Sequence, residues 1–465
     1  MRRLRWAADG GLWELDREAP VTMEGTARAV PGDPLPLGLS RGPRISRPKQ
    51  LDFMHRFMSS PLVPSFAGDP SNGGHGLLLH HAHTVHLFEN WSATVLGQFH
   101  IQKFVSIIKE RASNHLEKTS WPKTIAKHML DILSLGFGTE FLVTPDSSFL
   151  LEAYDVKKAN RGKAIFHHKL PKHNLTLEAA WPGLFVDENG TYWDVPLSMA
   201  IDLASITAAS GLSYHICLQH NRGQPEHFGG DKMHDKPMSL LPGFSAKAAI
   251  SIKKNVDLWR TKEGKLKMVQ PYDVFLSDPH ISASGIIGAV TSASLGDCSK
   301  RFFVKDESHR RKTISFCSQK NKFALFSDLF ASVSFTAQHG NFQRPFLDLT
   351  RLNARLDFPS GSTFLKGAAH LAQDFYHSRQ PDSAAMCAIC PDMTVALQQQ
   401  IVGPLSFRAE SRIEFDPRDK SQFVCIGESI FAIDWALKVL GSARATAWYS
   451  PKRHEAMVEL RFFES

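Results

Sequence analysis

The sequence predicts a mostly β protein: an antiparallel meander closed into a membrane β-barrel, with a proline-rich basic N-terminal segment and a few short helices. Three observations predict it. Apolar and polar residues alternate with period two over most of the chain beyond residue 76, which is the period of a strand and not of a helix. Turn signals separate the alternating runs. No run approaches the ~20 apolar residues of a helical span, yet 43% of the 465 residues are hydrophobic. Mean hydropathy is −0.21, and a barrel is compatible with such a value because alternation hides its apolar face from any average.

Residues 1–66 come first as a distinct segment. Pro31, Pro34, Pro36, Pro43, Pro48, Pro61 and Pro64 deny it long regular elements. Arg41, Arg44, Arg47, Lys49 and Arg56 crowd one stretch that only Asp52 opposes, and 51–58 has room for one short helix. The first residues are basic, but no apolar core follows, which argues against a secretory leader. Asp9, Glu14, Asp16 and Glu18 argue against an organelle transit peptide. A Gly/Asn/Ser patch at 68–76 reads as a linker into a barrel domain at 77–465.

The alternating runs follow. Phe244, Ala246, Ala248, Ile250 and Ile252 oppose Ser245, Lys247, Ser251 and Lys253. Leu329, Ala331, Val333, Phe335 and Ala337 oppose Ser332, Ser334, Thr336 and Gln338, and Leu352, Ala354, Leu356 and Phe358 oppose Arg351, Asn353, Arg355 and Asp357. From 405 to 415 Leu405, Phe407, Ala409, Ile413 and Phe415 face away from Arg408, Glu410, Arg412 and Glu414. The run 431–449 reads as one long strand, with Ile433, Trp435, Leu437 and Val439 on the apolar face and Asp434, Lys438, Arg444 and Trp448 on the polar one. Asp-Glu-Asn-Gly at 187–190 predicts a hairpin, and 450–455 a turn into a last strand at 456–463. Helices are expected at 99–118, 123–133 and 196–206, and in parts of 364–395. The polar faces carry charges of both signs, which a barrel lumen accommodates. Several runs exceed the ~9–11 residues that cross a bilayer, so the strands stand proud of it or breaks such as Gly403-Pro404 divide them. Trp435, Trp448, Tyr449, Phe462 and Phe463 suit interfacial aromatic girdles. A soluble curved sheet shares the same alternation and is the other reading.

Motifs for chemistry are weak. Gly38-Leu39-Ser40-Arg41-Gly42 fits G-x-S-x-G, but flanking prolines forbid the strand and helix of a nucleophile elbow. His80, His81, His83 and His86 cluster without a complete ligand set, and Cys387 and Cys390 lack a second pair, so no metal or other cofactor is expected. Six cysteines are too few for a disulfide scaffold. No phosphate-binding glycine loop and no nucleic-acid module is present. Asn90, Asn174 and Asn189 head sequons that matter only in a secretory compartment. The net charge of +8 is unevenly spread. Lys157, Lys158, Arg161, Lys163, Lys169 and Lys172, and the cations of 300–322, read as loops with attraction for an anionic surface.

Several stretches resemble one plant family, the trigalactosyldiacylglycerol 4 proteins. They are Glu-Gly-Thr-Ala-Arg-Ala-Val-Pro at 24–31, Asp-Pro-Leu-Pro-Leu-Gly-Leu-Ser-Arg-Gly at 33–42 and Arg-Pro-Lys-Gln at 47–50. Similar matches occur at 180–187, 192–202, 271–277, 398–404 and 457–464, so the resemblance spans nearly the whole chain. It implies a β-barrel of the chloroplast outer envelope that binds phosphatidic acid and takes part in lipid import from the endoplasmic reticulum, with contacts between the two membranes. It also implies self-association and cooperation with the permease, ATPase and substrate-binding components of the inner envelope. Arginine pairs its N–H donors with phosphate oxygens and lysine offers a point charge. Arg28, Arg41, Arg44, Arg47 and Lys49 lie within the N-terminal match and are the candidate headgroup ligands. No covalent step is implied, so a non-enzyme is expected. A porin-like or protein-import channel without lipid selectivity is the alternative.

Overall fold

The computed structural model describes residues 27–29, 62–67, 76–113, 132–156, 159–187, 192–205, 210–227, 240–258, 279–295, 314–318, 323–339, 350–380, 382–402, 404–415, 424–437, 443–452 and 455–462. The first strands are β1 (Ala27–Ala29), β2 (Leu62–Ala67), β3 (Gly76–Phe88), β4 (Trp91–His100), β5 (Leu133–Thr144), β6 (Ser147–Val156), β7 (Ala159–Lys169) and β8 (His173–Trp181). Next come β9 (Gly183–Asp187), β10 (Tyr192–Val195), β11 (Leu197–Ser205), β12 (Leu212–Arg222), β13 (Glu226–His227), β14 (Gly243–Asp257), β15 (His280–Leu295) and β16 (Ile314–Ser318). The last are β17 (Phe323–His339), β18 (Thr350–Phe358), β19 (Asp392–Val402), β20 (Leu405–Phe415), β21 (Val424–Leu437), β22 (Ala443–Ser450) and β23 (Glu455–Phe462). The helices are α1 (Ile101–Ser113), α2 (Gly361–Tyr376) and α3 (Ser383–Ile389).

The protein is mostly antiparallel β-sheet with a few helices. Among the described residues, β1, β9, β10 and β13 make a small sheet of four strands, and the other nineteen belong to one large sheet. That sheet is largely a meander, each strand pairing with the next in sequence. β11 reaches back to β8 past the β9–β10 hairpin, and β16 pairs as a side arm with the first residues of β17. The first member, β2, pairs with β3 from Leu62↔His81 to Ala67↔Gly76 and with β23 from Ser65↔Met457 to Ala67↔Glu455.

Antiparallel pairing sends successive connections to opposite ends. One end has tight links: Glu89-Asn90 between β3 and β4, Pro145-Asp146 between β5 and β6, and the step from Val402 to Leu405. The other end carries α1, the α2–α3 pair and the small sheet, under which Trp193, Val195 and Leu240 pack together. The expected break at Gly403-Pro404 is thus a strand connection. Many strands of the large sheet run 9–12 residues, whereas β14, β15 and β17 run 15, 16 and 17 and pair with one another along nearly their whole length.

Two expectations are corrected. The run 431–449 is a hairpin, β21 and β22, and not one strand. Leu437 pairs with Ala443, an even separation in sequence, so the alternation keeps its phase across the turn and masks it. Where a helix is expected over 196–206, Leu197–Ser205 is strand: in β11 Met199 and Ile201 are exposed while Ser198, Ala200, Asp202 and Ala204 are buried. Alanines permit a helix, but the period is two and both neighbours offer a ladder. Within 99–118 and 364–395 the helices are α1, α2 and α3, with β19 starting at Asp392. The 123–133 expectation falls almost wholly outside the described residues, as do the linker at 68–75 and the short helix at 51–58.

Local chemistry explains the helical pair. Ser360 is extended (φ −142°, ψ 107°), and its hydroxyl accepts from the Thr363 N–H, capping α2. Asp382 does the same for α3 through the Ala384 N–H at 3.1 Å. Gly367 is required where the two helices touch, since a Cβ there would lie 2.8 Å from the Cβ of Ala388.

Candidate functional site

The large sheet has two faces of opposite chemistry, and their burial is the reverse of a soluble protein's. In β12, Ser213, His215, Cys217, Gln219 and Asn221 are buried, while Leu212, Ile216 and Leu218 are exposed. β14 repeats this: Lys247 and Ser251 are buried, whereas Phe244, Ile250 and Ile252 are 57–59% exposed. The register sets Ile250 opposite Ile287, itself 69% exposed, and Ile287 opposite Ala331. Leu329, Val333 and Phe335 extend the patch along β17. Phe407 and Phe431 stack on the same face, with ring centroids 6.4 Å apart. A fully buried Val, Leu, Ile or Phe side chain is worth ~1.5–3 kcal/mol relative to exposure. This face therefore leaves tens of kcal/mol of burial unrealised in water, and an apolar patch of this extent marks a contact surface.

The polar face is sealed and charge-paired. Lys163 on β7 and Glu178 on β8 are 2.5 Å apart and almost wholly buried. Arg161 forks onto both carboxylate oxygens of Asp194 at 2.7 and 2.8 Å. His215 pairs with Asp202. The Lys247 ammonium sits 5.3 Å from the centre of the Phe330 ring. Gly288 makes room for that ring, since a Cβ there would come within 2.2 Å of it. Arg355 donates to Asp357 at 2.8 Å, and Arg412 to Asp392. The Gln398 amide donates to Ser406 at 2.9 Å and to Asp434 at 3.2 Å, with Arg408 3.7 Å from the same carboxylate. Because each of these cations faces a carboxylate or a ring, the face holds ionised groups without a large net charge.

The expected register of the penultimate hairpin holds at the described side chains: Ile433 and Trp435 are exposed and Asp434 is buried. Leu437 lies in β21 and Arg444 pairs with Ala436, whereas Lys438 and Val439 lie outside the described residues. Trp435 and Tyr449 stand on the exposed face, but Trp448 is buried with Ile430 and Ala432 on the other. It does not join a girdle, because its parity is that of Asp434.

Of the candidate headgroup ligands, Arg28 lies on β1, its backbone paired with Val186 of β9. Arg41, Arg44, Arg47 and Lys49 lie outside the described residues, as do Ser40, Asn189 and most of 300–322. The cationic run 157–172 needs correction. Arg161 and Lys163 are buried wall residues with carboxylate partners and not loop cations; Lys172 is in an exposed turn. Their spacing, two apart within an alternating run, was the signal that they share the polar face. Asn174 is buried in β8 and cannot accept a glycan. His86 bonds Ser92 at 3.0 Å, and among the described residues no group of three or more His, Cys, Asp or Glu could hold a metal.

Comparison with known proteins adds the family. No protein-family model matches the chain. It is similar to the Arabidopsis thaliana protein TRIGALACTOSYLDIACYLGLYCEROL 4, chloroplastic, at 52% identity over 479 aligned positions, covering 100% of both chains. With that identity over its full length, the chain belongs to the trigalactosyldiacylglycerol 4 family.

Proposed function

We propose that this protein is a lipid-transfer β-barrel of the chloroplast outer envelope that binds phosphatidic acid and takes part in moving lipid from the endoplasmic reticulum to the plastid. One observation carries the membrane part: the exposed face of the wall is apolar and the buried face polar. Hydrocarbon satisfies the first, and backbone pairing from strand to strand satisfies the N–H and C=O groups that lipid cannot. The pairing of β2 with both β3 and β23 supports closure of the sheet into a barrel. The full-length similarity to a chloroplastic relative supports the compartment. A soluble curved sheet would bury the apolar face instead. A porin-like channel would keep its lumenal cations wet, whereas Lys163 and Lys247 are 2% and 1% exposed.

The protein acts by binding and not by catalysis. Arg28, Arg41, Arg44, Arg47 and Lys49 contact the phosphomonoester headgroup, with arginine adding paired donors to the charge attraction. It self-associates and works with the permease, ATPase and substrate-binding components of the inner envelope. Flotation of the full chain with liposomes of different headgroups tests this reading. Replacing Arg41, Arg44, Arg47 and Lys49 by Ala should cut phosphatidic acid binding, at ~1 kcal/mol per cation near an anionic surface. Changing the three arginines to Lys should keep anionic binding and lower the preference for phosphatidic acid. Undiminished binding by the all-Ala protein would place the headgroup site elsewhere.

A further inference from the structure

Helix α2 turns its apolar side away from α3, the helix packed against it among the described residues. At 100° per residue, Phe364, Leu365, Ala368, Leu371, Ala372, Phe375 and Tyr376 share one arc, and Lys366, His370, Gln373 and Asp374 share the other. α3 packs at the edge of the polar arc, where Gly367 lies against Ala385, Ala388 and Ile389. Much of the apolar arc is open: Leu365 is 65% exposed, Phe375 77% and Tyr376 86%, while Phe364, Ala368 and Leu371 are half-buried. A soluble protein packs its surface helices the other way round.

The place where α2 leaves the wall says what covers this arc. β18 ends at Phe358, opposite Ala331, and the chain continues beside β17. Gly361 there abuts Leu329, one of the exposed apolar residues of the wall. The Ser362 N–H donates to Asp328 at 3.1 Å, fixing the helix start to the wall. The ring of Phe364 meets that of Phe358 edge-on, with centroids 5.6 Å apart. Phe358 has the parity of Leu352 and Leu356 on the exposed apolar face. One apolar surface therefore runs from the wall through Leu329, Phe358 and Phe364 to Leu365 and onto the open arc of α2.

We propose that α2 is an interfacial membrane helix, its apolar arc seated in the same bilayer that surrounds the wall and its polar arc and α3 turned to water. This rests on the reading of the wall's apolar face as lipid-facing. A helix with one apolar face and a polar back lies in the plane of the headgroup boundary. The α2–α3 pair would then hold that boundary at the level where α2 leaves β17.

Photo-crosslinking in the full-length protein reconstituted into phosphatidylcholine–phosphatidic acid vesicles tests the inference. Benzoylphenylalanine is placed singly at Phe375 on the open arc, at His370 on the polar arc and at Ile287 on the wall. Lipid adducts are expected from positions 375 and 287 and not from 370. Adducts from 287 without any from 375 would overturn the helix proposal and leave the membrane wall intact. No lipid adduct from either would overturn both. A protein adduct from 375, to a second copy or another chain, would show that the arc docks protein and overturn the proposal. As a second measurement, Phe375→Gln with Tyr376→Gln changes two exposed side chains that the fold does not need. It should lower lipid labelling from benzoylphenylalanine at Leu365 about tenfold, the ratio that ~1.4 kcal/mol of lost insertion produces. Unchanged labelling would overturn the proposal.

Discussion

Ile250 and Ser251 are adjacent in β14 and opposite in environment. The first projects from the wall with more than half its surface open; the second is buried, opposite Ser213 and Ile286. The two faces are unequal in a more instructive way as well. The exposed face is held mainly by apolar contacts such as Phe407 on Phe431, so exchanges among Ile, Leu, Val and Phe should be tolerated there. The buried face is a set of specific pairs, Lys163 with Glu178, Arg161 with Asp194, His215 with Asp202 and Arg355 with Asp357. Lys163–Glu178 and His215–Asp202 join neighbouring strands, Arg161–Asp194 joins β7 to β10, and Arg355–Asp357 lies along β18, so loss of one member removes that partner from the other. Tolerance to change should therefore differ by chemistry on one face and by partner on the other.

The largest effect should come from breaking a pair on the sealed face. Lys163→Met leaves the Glu178 carboxylate buried without its cation, which costs ~3–5 kcal/mol in such settings. The double variant Lys163→Met with Glu178→Met should recover most of that stability in a urea titration of the reconstituted protein. A single variant costing under ~1 kcal/mol would mean that water reaches the pair and that the two faces are less distinct than their burial implies.

Next in size is a charge on the open face. With the open face in lipid, as proposed, Ile250→Arg should cost ~2–4 kcal/mol near the bilayer midplane and less toward either boundary. Ile250→Leu should be close to neutral. In a protein whose apolar face meets water, Ile250→Arg would be harmless or would improve solubility, so resistance to carbonate extraction in the two variants separates these cases.

The smallest effect sharpens the boundary between wall and helix. Ser360→Ala removes the cap of α2 at ~0.5–2 kcal/mol. Amide exchange should quicken in 361–376 and stay unchanged in β17 and β18. Equal loosening of the strands would show that the wall depends on the helix for its integrity.

Much of this was readable in the residues. Parity alone assigns Ile433, Trp435 and Asp434 to the correct faces, and the polar faces carry charges of both signs. Parity failed where it carried no information. It cannot detect a turn whose flanking residues keep phase, as between Leu437 and Ala443, and it does not by itself reject a helix in an alanine-rich run such as β11. Arg161 and Lys163 were misread as loop cations because their carboxylates are distant in sequence: Asp194 follows Arg161 by 33 positions. The exposed arc of α2 was invisible for a similar reason. An amphipathic pattern predicts that a helix has an apolar side, but not which side its neighbour will take.

The sequence by itself determined most of the element types, though not β11 or the turn between β21 and β22, the alternating chemistry of the long strands and, through its full-length similarity, the family. These are local properties, set by side-chain period and by short matching stretches. Which face is buried, which cation meets which carboxylate and where α2 leaves the wall were decided only by tertiary structure. They depend on the register between strands far apart in sequence. A strand's alternation is symmetric between its faces until its neighbours settle which side is enclosed.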